Sequence, residues 1–151
     1  MLVWRLNRLA FAPGLDGEGA RLAGGRWNSV GVPAIYTASS LALAALEAFV
    51  HFPPDERKKA DLPRLIAVGL IVPDELVTAC DITMLQRGYG ILDCQIAGDK
   101  WSMGKTSLGL AVPSQVIPRE NNILLNPRHP DMAQVVIEET EDFAFDDRLG
   151  M

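Results

Sequence analysis

GGRWNSVGVPAIYTASSLALAALEAFVHF, Gly24 to Phe52, is the stretch whose reading decides the fold. A glycine-containing turn leads into VPAIYTA (Val32–Ala38), whose apolar, partly β-branched content predicts a strand. Ser39 and Ser40 are good N-cap residues, so a helix is expected from about Leu41 to His51. That helix carries apolar residues on every side, which predicts burial. Glu47 is its only carboxylate, eleven residues (47 − 36) after Tyr36. Burying an ionised carboxylate without partners costs on the order of several kcal/mol or more. Glu47 is therefore expected either to face a polar cleft or to meet a buried arginine.

Working outward, LVWRL (Leu2–Leu6) alternates, with Leu2, Trp4 and Leu6 on one strand face and Val3 and Arg5 on the other. Pro13–Asn28 reads as a glycine-rich loop. RLIAVGLIV (Arg64–Val72), bounded by prolines, reads as a buried strand. Further strands are expected in Ser107–Val112, Asn121–Pro127 and Ala133–Thr140, with short helices near Asp74–Thr78, Asp81–Arg87 and Asp99–Thr106. Strands dominate and do not alternate regularly with helices, which predicts an α+β fold, not a doubly wound parallel sheet. The Pro- and Lys-rich stretch His51–Pro63 reads as a surface connection within a single domain spanning 1–151.

Composition narrows the function. The chain has 151 residues, 48% hydrophobic and 22% charged, enough for one globular core. A net charge of −5 and a pI of about 5.0 argue against a general electrostatic grip on nucleic acid or an anionic membrane. No signal peptide or span of roughly 18 apolar residues is evident, so a cytoplasmic protein is expected. Cys80 and Cys94 fit no zinc or redox spacing and read as two reduced thiols, and with only His51 and His129 besides, no metal site is expected.

Two nucleotide motifs fail. GDKWSMGKT (Gly98–Thr106) approaches a phosphate-binding P-loop, but five residues, not four, separate its glycines. Gly17 and Gly19 begin a dinucleotide fingerprint that Leu22 breaks, since that position needs Gly or Ala.

A constellation reads better than any single motif. Arg5 lies on a strand among apolar neighbours, and Arg26 lies between Gly25 and Trp27, where small residues let a ligand approach. Guanidinium forks suit phosphate oxygens, an aromatic ring such as Tyr36 stacks on a flat base, and a carboxylate stabilises an oxocarbenium-like state. Together they are what a dinucleotide with a cleavable glycosidic bond requires.

GARLAGGRWNSVGVPAIYTASSLALAALE (Gly19–Glu47) and VPSQVIPRENNILLNPRHPDM (Val112–Met132), with VWRL at the start and FDDRL at the end, resemble the RES-domain family, the toxin half of a bacterial toxin–antitoxin system. The resemblance covers nearly the whole chain. It implies a mixed, split β core similar to ADP-ribosyltransferase toxins of the diphtheria type. It also implies NAD as a substrate, consumed by hydrolysis or phosphorolysis of the nicotinamide–ribose bond, or spent in ADP-ribosylating a protein such as a phosphoribosyl pyrophosphate synthetase. The family is named for an arginine, a glutamate and a serine. Glu47 matches the glutamate and Ser114 of VPS the serine, while Arg5 and Arg26 both match positions expected to be functional; Tyr36 falls on the active-site tyrosine.

By this resemblance Glu47, Tyr36 and Arg5 are the catalytic candidates, and Arg26, Ser114, Trp27 and Asn28 bind substrate. On the residues alone Ser114, after Pro113, reads as a turn cap. The resemblance makes it a binder of nicotinamide or ribose hydroxyls, not a nucleophile, since no histidine is placed to activate it. The implied partner is an Xre-like helix-turn-helix antitoxin covering the active site, and unchecked activity is expected to arrest growth. Two other readings stand beside this one, a selective protein ADP-ribosyltransferase and a binding module without activity. An intact Glu47 speaks against the second.

Overall fold

The computed structural model describes residues 1–57, 62–81 and 90–150. Its seven strands are β1 (Leu2–Asn7), β2 (Ile35–Ala38), β3 (Leu65–Ile71), β4 (Val77–Ala79), β5 (Gly109–Pro113), β6 (Asn121–Leu125) and β7 (Val136–Phe143). Its helices are α1 (Glu18–Ala23), α2 (Leu41–His51), α3 (Pro54–Arg57) and α4 (Ile91–Gly104). The strands form one sheet in the order β4-β5-β6-β2-β1-β3-β7. Only β4–β5 is parallel, so the sheet is mixed and the fold α+β, as expected.

The sheet is pinched at its middle. β1 meets β3 over six residue pairs, and β2 meets β6 over four, but β1 and β2 share a single pair, Trp4↔Ala38. Continuing that antiparallel register would set Leu6 against Tyr36, and no such pairing forms. The strands part there, and the freed Tyr36 carbonyl accepts from the Arg5 Nη1 at 3.2 Å instead. A side chain thus replaces a ladder bond at this carbonyl.

Strand alternation sorts the core. Val3, Ile35, Val68, Leu70 and Leu125 build the main cluster on one face. On the other face α4 covers Leu110, Val112 and Leu124 with Trp101 and Cys94, while α2 covers Ala38 and Trp4 with Leu43 and Ala44. α2 begins where expected, with the Ser40 side chain accepting from the Leu43 N–H at 3.1 Å.

Four expectations are corrected. α2 is not buried all round: Leu46 and Val50 are 40% and 42% exposed, because the sheet covers only one side of the helix. The glycine-rich loop contains α1, held by a bidentate Arg21–Glu18 pair at 2.8 and 2.9 Å, three residues apart on the helix surface. Asp74–Thr78 is a 3-10 turn (Asp74–Leu76) running into β4, a strand too short for alternation to reveal. The helix expected near Asp99–Thr106 is the later part of α4, which starts at Ile91. The helix expected at Asp81–Arg87 falls almost entirely outside the described residues.

Candidate functional site

A cavity of about 610 Å³ opens where β1 and β2 part. Arg5, Arg26, Tyr36, Glu47 and Asn122 lie on its wall, with His51 beside them. The volume is typical of a small-molecule site. No helix among the described residues is long and apolar enough to cross a membrane.

Glu47 projects from α2 toward the ends of β5 and β6. Its Oε1 accepts from the Ser114 hydroxyl at 2.7 Å and from the Asn122 Nδ2 at 2.6 Å. No cation stands at ion-pair distance from it among the described residues. Of the two environments expected for this carboxylate, the structure shows the polar cleft.

Ser114 is 1% exposed and follows β5. Its Oγ accepts from the Val116 and Ile117 backbone N–H groups at 3.0 and 2.9 Å, a turn-capping arrangement. With both lone pairs engaged, its one proton is donated to Glu47. The capping reading and the link to Glu47 thus coexist in one side chain.

Tyr36 lines the cavity, and its hydroxyl is engaged by the neighbouring loop. The Oη donates to Asn28 Oδ1 at 2.7 Å and accepts from the Trp27 N–H at 3.0 Å. Burial pushes the phenol up to about 12, partly offset by the Trp27 N–H. Gly25 is glycine for this reason, since a Cβ there would stand 2.6 Å from the Tyr36 hydroxyl. Asn28 is 1% exposed, its Nδ2 donating to the carbonyls of Ala20 and Val32 at 2.8 and 2.9 Å, so it ties the loop together from behind the cavity. Trp27 is 3% exposed and packs with Cys94 and Trp101.

The two arginines have different surroundings. Arg5 is held by Asn7 Oδ1 at 3.0 Å and by the Tyr36 carbonyl. Burial lowers its guanidinium from the ordinary value, with Asp16 opposing. Arg26 stands beside Cys94: burial raises that thiol, and the guanidinium pulls it back. Neither arginine is at ion-pair distance from a carboxylate among the described residues. Two guanidinium groups on one cavity wall, neither at ion-pair distance from a carboxylate among the described residues, make a site for an anion. Among the described residues no group of three metal-ligating side chains occurs.

The residues missed from sequence are those that hold the others. Asn122, on β6, bonds Glu47. On α4, Gln95 Nε2 donates to the Gly25 carbonyl at 2.9 Å, and Asp99 Oδ1 accepts from the Ser29 N–H at 2.9 Å. Gly98 lies between them, where a Cβ would stand 1.8 Å from the Trp27 carbonyl oxygen. Cys94, Gln95, Gly98 and Asp99 form one helix face at i, i+1, i+4, i+5, the face on which the Gly24–Ser29 loop rests. Of these four, only Gly98 and Asp99 lie within the segment tested as a P-loop, so the face does not show there. Asn122 is the second of two adjacent amides that open β6, ahead of three apolar residues, and the sequence does not tell it from Asn121.

Comparison with known proteins adds to this geometry. A protein-family model described as RES domain matches residues 2–146. A protein named Toxin Res from Photorhabdus laumondii is 34% identical, the match covering 99% of this chain and 97% of that one. A Prs ADP-ribosylating toxin from Sphingobium sp. is also 34% identical, covering 97% of this chain and 94% of its own length. Among solved structures, a chain of the Mycobacterium tuberculosis MbcT–MbcA toxin–antitoxin complex superposes with a TM-score of 0.75 over 99% of this chain and 86% of that chain. At 21% identity this likeness concerns the fold.

Proposed function

The chain belongs to the RES-domain family, and from that premise we propose that it is the toxin of a toxin–antitoxin pair and cleaves the nicotinamide–ribose bond of NAD. The observation that carries the reading is Glu47. It is a carboxylate held by two hydrogen bonds, in the same cavity as two arginines, and among the described residues it has no cation, and they have no carboxylate, at ion-pair distance.

In this reading Arg5 and Arg26 bind the pyrophosphate oxygens and the ring of Tyr36 stacks against the nicotinamide end. Glu47 Oε2 accepts a hydrogen bond from the ribose 2′-hydroxyl and stabilises the positive charge that develops at the anomeric carbon as nicotinamide departs. Water, inorganic phosphate or an acceptor side chain then forms the new bond to that carbon. Ser114 and Asn28 act by holding Glu47 and Tyr36, and Trp27 by anchoring the loop that bears Arg26. The chemistry assigns no step to a metal. An antitoxin is the expected partner, one that covers the cavity.

A second reading has its own support, because one relative is named for ADP-ribosylating Prs. In it the same cleavage delivers ADP-ribose to a protein. Incubating the purified protein with NAD, with and without phosphate, and reading products by mass spectrometry separates the outcomes. Free ADP-ribose marks hydrolysis, a phosphorylated ADP-ribose marks phosphorolysis, and a protein heavier by one ADP-ribosyl group marks transfer. NAD left intact in every arm refutes the enzymatic reading.

A further inference from the structure

Asn122 occupies a place in β6 where the fold itself has no use for an amide. Its Nδ2 donates to Glu47 Oε1 at 2.6 Å, while its Oδ1 is buried and has no hydrogen-bond partner among the described residues. A buried acceptor left unpaired is destabilising, so this side chain is not explained by stability. Rotating the amide by half a turn would set Oδ1 against Oε1, acceptor against acceptor. The bond to Glu47 therefore fixes the amide's orientation and leaves the other end unsatisfied.

Ser114 contributes the second donor to the same oxygen, at 2.7 Å. Two donors on Oε1 leave Oε2 without a hydrogen bond among the described residues, on a side chain that lines the cavity. We propose that Asn122 is a positioning residue: with Ser114 it clamps Glu47 Oε1 so that Oε2 alone is presented, as a carboxylate oxygen, to the substrate ribose. The assignment rests on the NAD-cleaving reading above and deepens it. It also explains why a glutamate from a helix and an asparagine from a sheet meet at the cavity where the sheet parts. Neither element could fix the carboxylate's rotation by itself, because a glutamate has a broad terminal torsion.

Asn122→Ala and Asn122→Asp test this together. In Asn122→Ala the clamp loses one donor, and kcat for NAD cleavage should fall on the order of 100-fold with KM little changed, as for a misplaced catalytic group. In Asn122→Asp two carboxylates stand at hydrogen-bond distance and share one proton. That proton restores a donor to Oε1 at acidic pH and is lost as pH rises. Turnover of Asn122→Asp should therefore approach that of the unaltered protein on the acid side and fall with rising pH relative to it. The other titratable groups facing this cavity are Arg5 on β1, Arg26 on the loop, Tyr36 on β2 and His51 on α2, and all are common to both proteins.

A readout independent of turnover is the proton count. Asn122→Asp should bind more protons near neutral pH than the unaltered protein, and adding Glu47→Gln should abolish the excess. Wild-type kcat in Asn122→Ala, or a pH profile in Asn122→Asp parallel to that of the unaltered protein with no excess proton, overturns the proposal. If the unaltered protein leaves NAD intact, the functional reading fails, and the proton count still decides whether Asn122 and Glu47 are coupled.

Discussion

Glu47 has two donors on one oxygen and no neutralising arginine among the described residues, and this decides what its replacement does. In Glu47→Gln the amide oxygen can take the place of Oε1 and keep both hydrogen bonds, and no buried cation is left unpaired. Thermal melting should stay close to that of the unaltered protein, whereas NAD cleavage should fall on the order of 100-fold or more, since electrostatic support of a cationic transition state is lost. Had Glu47 balanced an arginine, the same change would have cost roughly 3–5 kcal/mol of stability. Melting curves and turnover of one purified variant distinguish these. Tyr36 makes a second residue-scale prediction. Its folded-state phenol, near 12, lies above the ordinary value of 10.0. The folded protein therefore holds that proton more tightly, so the stability it contributes is complete below about pH 10 and is lost as pH rises toward 12. Denaturant titrations at pH 8 and pH 11 should show this alkaline decline, and Tyr36→Phe should reduce it, leaving the part due to the raised Cys80 and Cys94 thiols. At neutral pH that variant should be less stable by about 1–3 kcal/mol, because Asn28 Oδ1 and the Trp27 N–H lose their partner.

α4 is a buttress for the loop that carries Arg26. The helix can approach so closely only because Gly98 has no side chain, a Cβ there meeting the Trp27 carbonyl oxygen at 1.8 Å. Gly98→Ala must push helix and loop apart, which typically costs about 1–3 kcal/mol. Since the loop also positions Tyr36, NAD affinity should fall in the same variant. Gln95→Ala is the milder test. It removes the 2.9 Å bond to the Gly25 carbonyl, costing about 1 kcal/mol of stability, and should weaken NAD binding without loss of the fold. Calorimetric titration with NAD checks both. An affinity unchanged in Gln95→Ala would show that the loop holds its shape without the helix.

The cavity opens because β1 and β2 pair at a single point and then part across the middle of the sheet. The half formed by β1, β3 and β7 supplies Arg5, and the half formed by β2, β4, β5 and β6 supplies Tyr36 and Asn122, with α2 bringing Glu47 over the gap. A partner that covers this opening should compete with NAD for it. Titrating NAD into a complex with the cognate antitoxin should give weaker apparent binding, and a ternary complex with unaltered NAD affinity would show that the antitoxin acts elsewhere. In cells, expression without the antitoxin should arrest growth and lower the NAD pool. Arrest with an unchanged pool would favour selective transfer to a protein.

Much of this was legible without coordinates. The chain alone determined the α+β class, the Ser40-capped helix, and strands close to β1, β2, β3, β5 and β6, because each depends on periodicity or capping within a few residues. It also singled out Glu47, Tyr36, Arg5 and Arg26, because a charged or aromatic group among apolar or glycine neighbours stands out locally. It could not supply Asn122, Gln95 or Gly98 as supports, nor divide the expected binding residues into those on the cavity wall and those behind it. Asn28 and Ser114 carry the same polar groups in either place. Which of these each became was decided by partners 67 residues away for Ser114 and Glu47, 75 for Asn122 and Glu47, and 70 for Gln95 and Gly25. The first two are closed by the pairing of β2 with β6, which sets Ala38 beside Asn122 just ahead of α2, and the third by the packing of α4 on the loop. Neither leaves a mark in any short stretch of sequence, since both depend on how distant apolar faces meet.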